Sequence, residues 1–144
     1  PQVMAGYWQR PYETARSMTP DGYFKSGDIG IRDAHGFFKI IDRKKDMILV
    51  SGFNVYPNDV EETVSLCPGV LECAAVGVPD EKTGEAVKLV IVKKDPTLTE
   101  MAVREYCKAN MTGYKQPKVI EFKKELPKTA VGKILRRELR DAAK

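Results

Sequence analysis

Apolar positions fall into short runs whose period changes along the chain. Tyr23 to Arg32 and Phe37 to Ile41 are β-prone and flank the turn-forming cluster Asp33-Ala34-His35-Gly36, so a hairpin is expected there. The charged run Asp42-Arg43-Lys44-Lys45-Asp46 then interrupts the apolar segments, as a solvent-exposed boundary or hinge does. Beyond it, Met47 to Val50 and Phe53 to Tyr56 flank Ser51-Gly52. Pro57-Asn58-Asp59-Val60-Glu61-Glu62 opens a helix, with proline and acids in the first turn as the helix dipole favours, and Pro68-Gly69 ends it. Val70 to Val78 and Ala86 to Val92 are aliphatic runs around the polar loop Asp80 to Glu85, and both are read as central strands. Thr99 caps a helix with an apolar face of Ala102, Val103, Tyr106 and Cys107, and Gly113 and Pro117 bracket its exit. Val119 to Phe122 makes a short strand, and Ile134 to Ala143 a last helix with Leu135, Leu139 and Ala142 on one side.

Strands in the first third followed by β-α-β-β-α-β-α predict an α+β protein, a small mixed β-sheet flanked by helices and preceded by a β-hairpin segment. The division is expected near residue 45. Residues 1–44 can bury too little surface to be stable alone, and their hairpin exposes Tyr23, Phe24, Phe37 and Phe38. That segment therefore needs a neighbour, either chain absent from this sequence or, by self-association, a second copy. Residues 45–144 are expected to close their own core. The chain opens Pro1-Gln2-Val3-Met4 without an initiator methionine, which points to a fragment or a processed product.

Composition narrows the classes. With 144 residues, 42% hydrophobic and 31% charged, the chain is globular rather than disordered. A net charge of +4 favours anionic ligands such as nucleotides or coenzyme phosphates without demanding nucleic acid. Cys67, Cys73 and Cys107 are odd in number and lack CxxC spacing, so neither a disulfide framework nor a zinc site is supported and a reducing, cytoplasmic setting fits. No apolar run approaches the roughly 20 residues of a membrane span, and no metal cluster is expected. His35 is the only histidine and is read as a turn residue.

The stretch Pro127-Lys128-Thr129-Ala130-Val131-Gly132-Lys133-Ile134-Leu135-Arg136-Arg137-Glu138-Leu139 puts one lysine after a flexible turn and ahead of a basic helix. A Walker A loop would need glycine where Pro127 stands and Ser or Thr where Ile134 stands, so this is not a P-loop. From spacing alone, Lys133 is more commonly a solvated surface cation, Asp28 a turn residue, Arg43 to Lys45 a solvated run and Gly52 a hairpin glycine.

Five segments change that balance. Gly6-Tyr7, Tyr23-Phe24-Lys25-Ser26-Gly27-Asp28, Asp42-Arg43-Lys44-Lys45-Asp46, Ser51-Gly52-Phe53-Asn54-Val55-Tyr56-Pro57 and the Pro127 to Leu139 stretch occur in the order and spacing of adenylate-forming enzymes. The chain resembles the C-terminal part of acyl-CoA synthetases, and most closely bacterial long-chain fatty-acid–CoA ligases. The resemblance implies that ATP and a carboxylic acid give acyl-adenylate and pyrophosphate, and that the CoA thiol then displaces AMP. It implies that Lys133 is the catalytic lysine of the first step, that Asp28 and Arg43 bind ATP or AMP, and that Lys45 is the hinge. Many relatives carry Asp at the hinge position. Ser51, Gly52 and Phe53 match the loop that lies beside the pantetheine arm of CoA. On this reading residues 1–44 end a large N-terminal adenylation domain and residues 45–144 form the mobile C-terminal domain. Fatty acid, ATP and CoA are bound together with the missing N-terminal domain, which also supplies most of the magnesium ligation, and the 144 residues alone are inactive. Peripheral contact with the inner face of the membrane is compatible with a fatty-acid substrate.

The competing reading is a free-standing module whose last helix, with Lys133, Arg136, Arg137, Arg140 and Lys144, docks on nucleic acid or an anionic membrane. Nucleic-acid readers interleave aromatics with basic residues, and the last 22 residues contain none, so no nucleic-acid partner is expected.

Overall fold

The computed structural model describes residues 2–141, which fall into two compact units divided between Lys44 and Lys45. Ala142, Ala143 and Lys144, assigned above to the last helix, lie outside the described residues.

The first unit contains helix α1 (Pro11–Ser17) and an antiparallel hairpin of β1 (Asp28–Arg32) and β2 (Phe38–Arg43). The turn forms because the Asp33 carboxylate accepts from the backbone of His35 at 2.8 Å and of Phe37 at 2.9 Å, while Gly36 takes φ +91°. Tyr23 to Gly27 are not part of the strand, which begins at Asp28. Phe24 instead makes an isolated bridge to Met18. Helix α1 carries no periodic apolar face and buries no residue, so no sequence period announces it. Among the described residues of this unit, Asp42 alone is fully buried, and Tyr23, Phe37 and Phe38 are exposed.

The second unit is a five-stranded mixed sheet with helices on both faces. Its elements are β3 (Ile48–Val50), β4 (Phe53–Val55), α2 (Pro57–Ser65), β5 (Val70–Asp80), β6 (Gly84–Lys93), α3 (Glu100–Asn110), a 3-10 turn over Gly113–Lys115, β7 (Val119–Lys123) and α4 (Arg136–Asp141). Strand β6 is central. It pairs antiparallel with β5 from Val70↔Lys93 to Asp80↔Gly84, parallel with β7 from Lys88↔Val119 to Val92↔Lys123, and with β3 through Val50↔Gly84. Strand β5 is therefore an edge strand, which corrects its reading as central. Its unbroken apolar run reflects burial on both faces rather than pairing on both sides.

Alternate residues serve two cores. Cys73, Ala75, Val87, Leu89 and Ile91 face Val60 and Val64 of α2 and Val103 and Cys107 of α3. Ala74, Val76, Val90 and Val92 face Leu126 and Leu139 on the other side. Thr99 caps α3 by accepting from the Ala102 amide at 3.2 Å, but Ala102 itself is exposed, so the buried stripe of α3 is narrower than its spacing suggested. The last helix begins at Arg136, not Ile134. Ile134 bridges Lys128, and the Leu135 amide donates to the Pro127 carbonyl at 2.8 Å, so those residues close a turn before the helical ladder starts.

Burial pushes the Cys73 thiol up to about 12 and that of Cys107 up to about 11, and raises Cys67 as well. The folded protein should thus resist alkylation by iodoacetamide near pH 8 and react at all three positions in denaturant. Because the protonated thiol is favoured in the fold, the associated stability is present below the ordinary thiol value of 9.0 and is lost as pH rises toward about 12. Rapid labelling of the native protein, read by mass spectrometry, would contradict this burial.

Candidate functional site

Asp28 and Arg43 occupy paired register positions at the open end of the β1–β2 hairpin, and Arg43 Nε meets Asp28 Oδ1 at 2.9 Å. A register shift between Ile29 and Gly30 sits beside them, so a β-bulge sets the local twist. The pair thus offers a carboxylate and a guanidinium side by side, the acceptor and donor that a sugar diol next to a phosphate calls for. The Lys44 amide continues this edge by donating to the Gly27 carbonyl at 2.8 Å. These groups belong to the first unit.

In the second unit, Ser51 and Gly52 form the two-residue turn between β3 and β4, with φ of +50° and +84°. Positive φ at both positions is the type I′ geometry that matches strand twist, and it accounts for a glycine at 52. The turn is fastened from below: the Ser51 amide donates to the Thr83 carbonyl at 2.9 Å and the Leu49 amide to Glu85 Oε2 at 2.8 Å. Thr83 is held by Asp80, whose Oδ1 accepts from its amide at 2.9 Å and its hydroxyl at 2.7 Å, and Lys118 Nζ reaches both Asp80 oxygens at 2.8 Å. Phe53 stacks on Tyr114 with ring centroids 4.7 Å apart and planes 15° from parallel, yet stays 54% exposed. A half-covered aromatic beside a rigid turn is a surface suited to a thin, partly apolar ligand.

The hydrogen bond from Lys118, and then that from the Thr83 hydroxyl, hold the Asp80 carboxyl well below its ordinary 3.8. A depressed carboxylate contributes stability that is present above its unfolded value and lost as pH falls through its folded one. Asp80→Asn should therefore flatten the acid limb of stability below about pH 4, measured by urea unfolding across that range. An unchanged acid limb would mean that the pair contributes nothing to the fold.

Lys133 is exposed at the end of a second turn. Thr129 shapes it, its amide donating to the Lys133 carbonyl at 2.8 Å and its hydroxyl accepting from the Lys133 amide at 3.1 Å, with Gly132 at φ +80°. The turn is pinned on both sides. Lys128 pairs with Glu72 of β5. Arg136 makes a two-pronged contact with Glu61 at 2.7 and 3.1 Å and reaches Asn58 at 2.8 Å, while Glu61 also accepts from the Ala75 amide at 2.8 Å. Fixed backbone under a long, exposed ammonium is what a lysine needs to reach outward with a defined root.

The two turns are fastened to opposite ends of β5. Glu72 lies near its start, and Thr83 lies just past Asp80 at its end, so the anchors are about 26 Å apart at roughly 3.3 Å per residue. Lys45, the remaining predicted position, is exposed, and its carbonyl accepts from Arg140 Nη1 at 3.0 Å. The sequence reading did not single out Asp80, Thr83, Lys118, Tyr114, Glu61 or the inward role of Arg136 and Arg140. The Asp80–Thr83 contact spans only three residues, but the partners of Lys118, Arg136 and Arg140 lie 38 to 95 residues away, and no local spacing encodes such pairs. The basic last helix is accordingly no free cationic face: Arg136 and Arg140 are committed to Glu61 and Asp46, and Arg137 is the exposed one of the three. Among the described residues no group of three His, Cys, Asp or Glu side chains could hold a metal ion, and no helix is long and apolar enough to cross a membrane.

The second unit thus combines a five-stranded mixed sheet with two exposed turns and follows the charged run Asp42 to Asp46 in sequence. Residues 59–133 match the AMP-binding enzyme C-terminal domain, and the chain belongs to that family. It is 60% identical over its whole length to a long-chain-fatty-acid–CoA ligase of Salmonella typhimurium and 59% identical to one of Escherichia coli O6:H1, spanning 26% of each. Among solved structures, ATP-bound MatB from Rhodopseudomonas palustris superposes with a TM-score of 0.92 at 36% identity, covering 97% of this chain and 28% of that one. The chain thus spans about a quarter of the length of the curated relatives it matches.

Proposed function

We propose that this chain is the C-terminal part of an ATP-dependent fatty acyl-CoA synthetase, an acid–thiol ligase. Pro1–Lys44 ends the large adenylation domain, and Lys45–Lys144 is the mobile domain that serves both half-reactions. The observation that carries this reading is the placement of two exposed, separately anchored turns at opposite ends of β5, in a chain 60% identical to a long-chain-fatty-acid–CoA ligase. A site that receives first one turn and then the other requires the domain to change orientation between steps.

In the first orientation the Lys133 ammonium neutralises charge that builds on the α-phosphate oxygens as the fatty carboxylate attacks and pyrophosphate leaves. Asp28 accepts from the ribose hydroxyls, and Arg43 holds that carboxylate in place at 2.9 Å while facing the phosphates. In the second orientation the Ser51-Gly52-Phe53 turn lines the path of the CoA pantetheine arm, where the missing Cβ of Gly52 leaves room for a thin chain. The CoA sulfur then attacks the acyl carbon and AMP departs. Magnesium would accompany ATP in this scheme, held mainly by the rest of the enzyme. The exposed Tyr23, Phe37 and Phe38 are the surface that the remainder of the adenylation domain covers. The alternative of a polyanion-binding module is disfavoured because Arg136 and Arg140 face inward.

The test is to incubate the intact enzyme with ATP and fatty acids of graded length, following pyrophosphate release without CoA and acyl-CoA formation with it. Fatty-acid-dependent release of pyrophosphate is expected, and none from the 144 residues alone. Failure of every fatty acid to promote that release would exclude the assigned substrate class.

A further inference from the structure

Arg140 stands 95 residues from Lys45 in sequence, yet its guanidinium forks onto the hinge: Nη1 donates to the Lys45 carbonyl at 3.0 Å and Nη2 meets the Asp46 carboxylate at 3.3 Å. The Asp46 side chain is only 12% exposed and that of Arg140 31%, so this contact is largely sheltered from solvent. A planar guanidinium can hold a carbonyl and a carboxylate together, which a compact ammonium does less well. The post that carries it is itself fixed, since neighbouring Leu139 is buried against Val76 and Val90 and Arg136 is tied to Glu61 and Asn58. On the other side of the boundary, the Lys44 amide is held by the Gly27 carbonyl at 2.8 Å within the first unit. Between these two fixed points the soft bonds are φ and ψ of Lys44 and Lys45, because the peptide linking them is planar and stiff.

We propose that Arg140 is a positioning residue that confines the domain swing to the backbone of Lys44 and Lys45. The inference rests on the reading of Lys45 as the pivot. With the clamp intact, Asp46 and Met47 move as part of the second unit, and the domain searches few orientations. Without it, their torsions join the swing, and each productive orientation is populated for a smaller fraction of the time. Losing the clamp loosens the pivot without blocking either orientation, so both half-reactions suffer alike, unlike a substitution that locks the pivot in one of them. A residue that merely supported α4 beneath the Lys133 turn would affect adenylation alone, because the Ser51 turn is anchored separately by Thr83 and Glu85.

The experiment measures pyrophosphate release without CoA, and acyl-CoA formation from supplied acyl-adenylate, in the intact enzyme carrying Arg140→Ala or Arg140→Lys, with Lys133→Ala in parallel. Arg140→Ala is expected to lower both rates by the same factor, on the order of tenfold, as loss of a charge-assisted contact that sets a population does. Arg140→Lys, which keeps a cation beside Asp46, should recover part of both. Loss of adenylation alone, or no loss in either, would overturn the proposal. If Arg140→Ala abolishes cooperative thermal unfolding, Arg140→Lys decides alone: an equal, smaller loss in both steps supports the clamp, and a one-sided loss or none refutes it. Lys133→Ala separates the two levels of the argument, since intact pyrophosphate release in that variant would fault the functional reading itself rather than the clamp.

Discussion

Lys133→Ala in the intact protein is expected, on the proposed function, to cut acyl-adenylate formation by about 10²–10³-fold, the size of losing one preorganised contact to developing charge. Thioester formation from supplied acyl-adenylate should be nearly unchanged. The reasoning is that a cation used only in the transition state of one orientation is idle in the other. The geometry adds a control. Lys133 is presented by backbone held through Thr129, Lys128 and Arg136, and its own side chain is exposed, so truncation leaves the turn's hydrogen bonds in place. The variant should fold and melt like the parent. Equal loss of both half-reactions, measured as pyrophosphate release and as acyl-CoA production, would remove Lys133 from the assigned role.

The opposite partition is expected for the hinge and for the Ser51-Gly52 turn. Lys45→Pro fixes φ at the pivot near −65° and restricts Lys44 as well, so the swing is obstructed after the first step has occurred. Gly52→Leu adds bulk where the thiol arm is proposed to pass. Each should slow thioester formation on the order of 10²-fold, the scale of misplacing a reacting group by about an ångström, while adenylation stays close to normal. Because Gly52 sits at φ +84°, leucine also strains the turn. Gly52→Asn separates the two effects, since asparagine tolerates that conformation and still introduces a Cβ. No described atom of the chain, its neighbours aside, lies within 4 Å of the added Cβ, so any block by asparagine arises from the ligand path rather than from a clash within the domain. Collapse of pyrophosphate release in these variants, alongside acyl-CoA production, would contradict the assignment.

Both turns were legible in the sequence because turn chemistry is local. Ser51-Gly52 between two short apolar runs, and Gly132-Lys133 after a proline, state their geometry within a few residues. The alternation of two cores across β5 and β6 was legible only as a continuous apolar run. Such a run reports covered faces and is silent on which edge is free, hence the misreading of β5 as central. Helix α1 escaped because it buries nothing. The start of α4 was misplaced because apolar spacing continues smoothly through Ile134 and Leu135, while long-range pairing to Lys128 and Pro127 overrides it. The same limit hid Arg136 and Arg140. As isolated letters in a basic helix they looked like a surface charge patch, and only the fold places Glu61 and Asp46 opposite them.

The central claim, one domain taking two orientations about Lys45, is tested most directly by a distance between the units in the intact enzyme. Spin labels at Ala34→Cys and Ala109→Cys, both exposed positions, can be read by pulsed dipolar spectroscopy, any cysteine elsewhere in the enzyme that labels being first replaced. The buried Cys67, Cys73 and Cys107 are expected to remain unlabelled. The account predicts one distance with ATP and a non-reactive fatty-acid analogue and a clearly different one with a stable acyl-adenylate analogue and CoA. A single distance, unchanged between the two states, would contradict it.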